Sequence, residues 1–453
     1  MIKTFFNDKE FFKTFVKLAI PIALQNLVAS SLNMVDTVMV GQLGETEIAA
    51  VGLANQFFFL LNLLMFGIVS GSAIYTSQYW GKRDLPNLRR VLGLSLMLSI
   101  SAAFIFTCVS LLLPSQVIRI FSEDARVIEL GSQFLRIVGL SYMITAVTFS
   151  FSFVLRSTGQ AKLPMRISVM ALLINTALNY LLITGKFGFP ALGVRGSAIA
   201  TVIARTIEVT VLLTIIYKNQ YPVAAKLHEM MDLSKEFVGR FLNTTIPVIL
   251  NESFWSLGVT MYSVAYGRMG TDVVASINIA STVERLAMVL FVGMGNACAV
   301  MVGNQIGAGQ EGKAFDYAKK FLITGPFIGI FMGIALILSS KGILSVYNVS
   351  SGVYEAAARV LFVIALAMPV KIYNMIMIVG VLRSGGDTKF SLIIDTIGVW
   401  FIAVPLAFLG GLVWKLPVHW VYTFIIAEEV FKFTLGVRRF VTKKWINNLV
   451  AHA

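Results

Sequence analysis

Long apolar stretches separated by short polar loops set the pattern of this chain. A helix needs about 20 predominantly apolar residues to cross the hydrocarbon of a bilayer. Twelve such runs occur, near 15–40, 48–79, 91–113, 127–155, 164–184 and 194–217, then near 238–266, 274–305, 317–340, 354–382, 390–410 and 416–437. The pattern predicts an all-α integral membrane protein with 12 transmembrane helices. Lys and Arg gather in alternate loops: Lys82, Arg83, Arg89 and Arg90; Arg156, Lys162 and Arg166; Lys218, Lys226, Lys235 and Arg240; Lys313, Lys319 and Lys320; Arg383 and Lys389. Both termini are basic as well, with Lys3, Lys9, Lys13 and Lys17 at one end and Arg438, Arg439, Lys443 and Lys444 at the other. Positive charge collects on the cytoplasmic side of a membrane, so both termini are expected there.

The pattern repeats. Moving 226 residues along carries Pro21 to Pro247, Gly41 to Gly267, Gly44 to Gly270, Ala54 to Ala280, Gly67 to Gly293 and Gly81 to Gly307, and VLRSTGQAK at 154–162 returns as VLRSGGDTK at 381–389. A fixed-period match of this kind marks a duplication. It predicts two six-helix lobes, 1–225 and 226–453. Because each copy has an even number of spans, the copies share an orientation, related by a pseudo-two-fold axis along the membrane normal. That is a transporter architecture.

Composition agrees: of 453 residues 57% are hydrophobic and 13% charged, and the mean hydropathy is +0.81. The formal charge of +14 falls between apolar runs rather than on one face, so the expected partner is the lipid bilayer and not nucleic acid. Cys108 and Cys298 both lie in apolar runs and read as packing residues. His228, His419 and His452 have no metal-binding spacing. The N-terminus lacks the short apolar core and cleavage site of a removable signal peptide. GAGQEGKA at 307–314 approaches a phosphate-binding loop, but Ala314 stands where Ser or Thr is needed and a hydrophobic span precedes it, so it reads as a loop between spans. No nucleophile elbow or zinc-helix motif occurs, which argues against an enzyme.

The run MVDTVMVGQLG with a proline fifteen residues before its Asp, the QYWGKRD and NQIGAGQEGKA loops, the paired VLRS segments and NTALNYLLITGKFGFPALGVRGSAIAT together resemble the bacterial MATE (multidrug and toxic compound extrusion) transporters over nearly the whole chain. The resemblance implies a secondary active antiporter of the cytoplasmic membrane. Such a protein exports organic, often cationic, compounds by alternating access, in exchange for Na⁺ or H⁺ as coupling ion and without a cofactor. A monomer is expected.

Asp36 is the residue that asks for chemistry. A carboxylate at mid-span costs roughly 2.5–3.5 kcal/mol on insertion scales, so it must be partnered, neutralised, or solvated by the GQLGETE loop near a helix end. Asn175 and Asn179, four apart, share a helix face and offer amide oxygens, and Thr201 adds a hydroxyl. Oxygen donors suit a hard cation. The family resemblance implies that Asp36, Asn175, Asn179 and Thr201 form a first-lobe cation site, and that only one titrating group stands there, since some relatives carry a second carboxylate where this chain has Asn179.

In the second lobe Glu252 sits at the repeat position of Asn26 and resembles the acidic residue of NorM-type members of the family. The chain departs from that subgroup at Ile372, where an Asp is expected. Lys371 beside it is expected to neutralise Glu252, because two isolated buried charges cost more than a pair. Asp395 is a further intramembrane carboxylate, six residues past Lys389. Arg205 with Glu208, and Glu284 with Arg285, read as local ion pairs. Pro21 and Pro247 each remove a backbone hydrogen bond from a long span and mark bendable points. By location alone Met34, Phe57, Phe58, Phe59, Trp255 and Met261 are candidates for an adaptable substrate surface. Two alternatives stay open: a flippase for lipid-linked precursors, which calls for a strongly cationic central cavity, and a channel or other passive membrane protein.

Overall fold

The computed structural model describes residues 8–345, 347 and 349–451, except the side chain of Asn33; Lys3 and His452 lie outside the described residues. Those residues fold into helices, with no strand among them. Helices long and apolar enough to span a membrane are Lys9–Gly41, Glu45–Lys82, Leu85–Leu112, Lys162–Thr184, Val194–Lys218, Thr271–Gly307, Glu311–Leu344, Ser351–Leu382 and Thr388–Val413. A further span is made of Ala125–Gly139 and Ser141–Ser157, bent by 48° at Leu140.

The remaining two of the twelve expected spans are Lys235–Met269 and the pair Val418–Ile425 and Ala427–Val441. They fall short as plain apolar spans because they carry Asn251 and Glu252, and Glu428, Glu429 and Lys432, in their interiors. Each of those polar residues is buried or half-buried. In chain order the twelve elements are called spans one to twelve below.

By packing, the chain divides into two compact units: residues 24–243, and the described residues up to Ala23 together with Thr244 onward. Span one therefore gives its first part to the second unit and its last part to the first, and span seven is shared in the same way.

In the first unit, helix starts are set by carboxylates that accept otherwise orphaned N–H groups. Asp84 accepts from the Asn87 amide (3.1 Å) ahead of span three, and Asp124 from the amides of Arg126 (2.8 Å) and Val127 (3.1 Å) ahead of span four. Spans five and six approach closely because Gly196 has no side chain: a Cβ there would stand 2.4 Å from the carbonyl oxygen of Leu182. The linker after span six folds into a short helix, Leu227–Met231, against span three, where a Cβ on Gly93 would stand 2.1 Å from the Met230 carbonyl oxygen. Arg89 pairs with Glu229 at 2.6 Å and Arg90 with Asp232. The Lys226 backbone N–H, helped by Arg89, holds the Glu229 carboxyl below its ordinary range.

In the second unit, Phe11 packs on Tyr317 and Phe321 (ring centroids 5.2 and 5.1 Å apart), and Lys320 is shared by Asp8 and Asp316 at 2.6 Å each. Spans nine and ten meet where a Cβ on Gly333 would stand 2.4 Å from the Ala365 carbonyl oxygen. Both cysteines are free, with Cys298 fully buried.

Candidate functional site

Asp36 lies in the last third of span one and is 4% exposed. Solvation by the neighbouring loop is thereby ruled out, and the carboxylate is met instead by side chains from spans five and six. Asn179 Nδ2 donates to Asp36 Oδ1, and Thr201 Oγ1 donates to Asp36 Oδ2 at 3.3 Å. Asn179 Nδ2 also reaches Asn175 Oδ1 at 3.1 Å, and Asn175 Nδ2 reaches Thr201 Oγ1 at 3.3 Å. The one-turn spacing of the two asparagines puts both on the face that Gly196 allows close to Thr201. Asn175 and Asn179 are fully buried, and Asn179 Oδ1 accepts no hydrogen bond from any described residue. A buried acceptor left in that state is costly.

A cavity of about 20 Å³ opens beside Asp36, lined in part by Asn55, Phe58, Tyr142, Thr201 and Arg205. It has room for about one water molecule. The Asp36 carboxylate and the Thr201 hydroxyl thus face a space of atomic size, and the amides of Asn175 and Asn179 back them from span five.

A second polar chain runs through the same unit. Arg156 is 6% exposed and donates twice to Gln25 Oε1 (3.1 and 2.6 Å), with its guanidinium 4.7 Å from the centre of the Phe153 ring. Gln25 Nε2 donates to Ser168 Oγ (3.3 Å), Ser168 to Glu208 (2.9 Å), and Arg205 pairs with Glu208 at 2.9 Å. The local pair of Arg205 and Glu208 is as the sequence suggests, and Arg205 also faces the Asp36 cavity.

In the second unit the expected pairing of Lys371 with Glu252 does not form. Glu252 pairs with Arg383 at 2.7 Å, whereas Lys371 pairs with Glu284 and accompanies the Tyr422 hydroxyl at 2.9 Å. The reason is axial height. Lys371 precedes Arg383 by twelve residues, roughly three turns along the helix, and Arg383 is the cation at the level of Glu252. Glu284 therefore does not pair with Arg285 either, since adjacent helix residues point to different sides, and Arg285 is exposed.

Asp395 is 7% exposed. It accepts from Asn251 Nδ2 at 2.8 Å and from Lys432 at 2.7 Å. Arg156, Lys320 and Arg383, which the loop pattern counts as surface charge, are all buried.

Among the candidate substrate-surface residues, Met34 and Trp255 are exposed, Met261 is half-buried, and Phe57 packs on Phe106 with centroids 4.8 Å apart. None of these four lines the cavity beside Asp36; Phe58 does, stacked on Tyr142 at 5.4 Å. Sequence reasoning also passed over Gln25, Asn55, Tyr262, Asn374, Glu428 and Lys432. The 226- to 227-residue repeat was the signal that links most of them.

Twelve helical spans with a carboxylate–amide site inside one packed unit define a membrane protein of transporter type. The MatE family profile matches residues 21–181 and 247–409, and the chain belongs to the MatE family. It is 26% identical over 450 residues to the "Uncharacterized transporter YisQ" of Bacillus subtilis, covering 98% of this chain and 97% of that one. It is 25% identical over 444 residues to the "Probable multidrug resistance protein NorM" of Thermotoga maritima, covering 96% and 93%. Among solved structures, one described as "MATE in the bent conformation" superposes with a TM-score of 0.87 at 20% identity, covering 96% of each chain. An outward-facing multidrug resistance MATE family transporter superposes with 0.85 at 20% identity, covering 95% and 96%. These two likenesses establish the twelve-span, two-lobed fold.

Proposed function

We propose that the protein is a secondary active antiporter of the bacterial cytoplasmic membrane that exports organic, amphipathic and mainly cationic compounds in exchange for Na⁺ or H⁺. The observation that carries this reading is the burial of Asp36 among Asn175, Asn179 and Thr201, beside a cavity of about 20 Å³. The lobes of the transporter are 1–225 and 226–453, the division made by the internal repeat, with both termini in the cytoplasm. The working unit is a monomer without a cofactor, and it is not an enzyme.

In the outward-facing protein, Na⁺ or H⁺ reaches Asp36 and neutralises it. For Na⁺ the ligands are the Asp36 carboxylate, the oxygens of Asn175 and Asn179, and the Thr201 hydroxyl, all hard donors. For H⁺ the carboxyl becomes a donor and needs an acceptor, which the unpaired Asn179 Oδ1 supplies. Either ion shifts the equilibrium between states only through its different affinity for them. The ion thereby weakens the hold on cargo, and cargo leaves outward. Pro21 and Pro247 are the points at which spans one and seven bend.

Asp395, Glu252 and Lys371 serve as part of the buried charge framework of the second lobe. Met34, Phe57, Trp255 and Met261 contribute to the substrate surface. A lipid-linked precursor flippase is less well supported, because the buried charges are of mixed sign. Proteoliposomes loaded with ethidium test the reading: export against a concentration gradient is expected when a Na⁺ or pH step is imposed and not otherwise. Movement only down the ethidium gradient would instead indicate a channel.

A further inference from the structure

The two units share three hydrogen bonds at positions related by the repeat. Arg156 donates to Gln25 and Gln25 to Ser168; likewise Arg383 donates to Asn251 (2.8 Å) and Asn251 to Asp395 (2.8 Å). Gln25 and Asn251 lie 226 apart, and Arg156 and Arg383, like Ser168 and Asp395, lie 227 apart. Continued to the Asp36 site, the correspondence pairs Asp36 with Tyr262, Thr201 with Glu428, and Arg205 with Lys432. The bond is kept: Thr201 donates to Asp36 at 3.3 Å, and Tyr262 donates to Glu428 at 3.2 Å. Acid and hydroxyl have changed places between the first and sixth helices of the repeat. A carboxylate–hydroxyl pair therefore occupies the same position in both copies.

Charge balance separates the two copies. In the second unit a single ammonium, that of Lys432, serves two carboxylates and stands nearer Asp395 (2.7 Å) than Glu428 (3.4 Å). The other cations of this network are committed, Arg383 to Glu252 and Lys371 to Glu284. Glu429, next to Glu428, accepts from Asn374 Nδ2 at 2.7 Å, and no cation pairs with it among the described residues. Five carboxylates thus share three cations. Glu428 is 6% exposed and is faced by Tyr262 and Tyr266 of span seven, Lys371 of span ten, Asp395 of span eleven, and Glu429 and Lys432 of its own helix, while Tyr422 of the preceding segment is bound to Lys371 and Glu284. A buried excess of negative charge is costly and is relieved by taking up a positive ion.

Two details point to an exchangeable ion rather than a fixed scaffold. Asn374 is 3% exposed and its Oδ1 accepts no hydrogen bond from any described residue, the condition also found at Asn179 Oδ1 beside Asp36. Gly398, on the wide-turned segment Ile397–Ala403, leaves the space that Lys432 occupies, since a Cβ there would stand 2.8 Å from Lys432 Cε. The lysine stem is thus seated against Gly398, with its ammonium nearer Asp395 than Glu428.

We propose that Glu428 is a second ion-carrying carboxylate, the counterpart of Asp36 in the other copy of the repeat, which takes a proton from water to become a neutral carboxyl and returns it to water later in the cycle. Its use in coupling rests on the antiport reading above; its protonation does not. Infrared spectra of reconstituted protein, titrated from pH of about 5.5 to about 9 where exposed carboxylates are already ionised, isolate it. In an Asp36→Asn background a carboxylic-acid carbonyl band is expected to disappear with rising pH. That band is lost on adding Glu428→Gln and kept, shifted, on adding Glu428→Asp. Superimposable titrations with and without Glu428→Gln overturn the proposal. In proteoliposomes carrying wild-type Asp36, Glu428→Gln should lower ethidium accumulation tenfold per unit of imposed pH step, the contribution of one proton, and an unchanged dependence on the step likewise overturns it. Failure of the antiport reading shows differently, as ethidium movement only down its own gradient in the unsubstituted protein, whatever step is imposed.

Discussion

Replacing Asp36 by Asn removes the charge and almost nothing else, so its effect on folding and on coupling can be worked out separately. The carboxylate accepts from Asn179 and from Thr201. Asn keeps one acceptor oxygen for the Asn179 N–H, while its amino end donates to Thr201 Oγ1, whose hydroxyl is left to the Ser197 carbonyl at 3.0 Å; one charge-assisted bond becomes neutral and the other reverses, at about 1 kcal/mol each. Against this, the variant no longer buries an ionisable group, whose insertion costs roughly 2.5–3.5 kcal/mol. Asp36→Asn is therefore expected to fold as well as the wild type or slightly better, with a thermal midpoint equal or raised. Coupling behaves in the opposite way. One ion exchanged per cargo molecule allows tenfold accumulation for each tenfold ion gradient, or about 1.4 kcal/mol. A hundredfold Na⁺ or proton step thus supports about hundredfold ethidium accumulation through Asp36 alone. The variant should lose that factor, measured as ethidium fluorescence in proteoliposomes with and without the step. Folded Asp36→Asn protein that still accumulates ethidium to the wild-type ratio would refute the assignment of Asp36 as an ion carrier.

Other expectations follow from the same contacts. Gln25→Leu strands the buried Arg156 guanidinium without its two hydrogen bonds, each worth about 1.5–3 kcal/mol to a charged group, so unfolding in detergent should come several kcal/mol earlier; an unchanged denaturation midpoint would mean that water replaces the glutamine. Pro21→Ala returns a backbone hydrogen bond to span one and is expected to raise the thermal midpoint while slowing ethidium export, and unchanged export would remove the bend from the cycle. The Glu229 carboxyl, held low chiefly by the Lys226 N–H, contributes stability fully above its unfolded value of 4.5 and loses it as pH falls through the lower folded value. Amide exchange over 227–231 should accordingly rise only in acid, below about pH 4, and a rise already near neutrality would contradict the assignment.

Most of the architecture is legible in the sequence because span length and the repeat are one-dimensional signals. Twelve apolar runs, two prolines 226 apart and matching VLRS segments suffice for twelve spans in two lobes. Helical spacing places Asn175 and Asn179 on one face, but it is the family resemblance alone that made them and Thr201 legible as partners of Asp36. Partners in the second lobe were not legible. Lys371 lies in span ten and Arg383 just past its end, and choosing between them for Glu252 requires the relative height of two helices, which spacing within one helix does not give. Arg156 reads as loop charge because it ends an apolar run, yet Gln25 and Phe153 hold it inside. Glu428 was hidden by the exchange of acid and hydroxyl between copies, since a search for repeated carboxylates passes over a Thr that becomes Glu.

The unpaired oxygen of Asn179 has a consequence for how occupancy of the site is registered. A carboxamide is nearly the same shape turned half round, but its two ends have opposite polarity. While Asp36 is ionised, the amino end faces it; if Asp36 is neutralised by a proton or sodium ion as proposed, the oxygen end is preferred. The side chain can therefore record the ion's presence by rotating about one bond, without any change of volume in a tightly packed core. A second carboxylate at this position would have no such distinction between its ends.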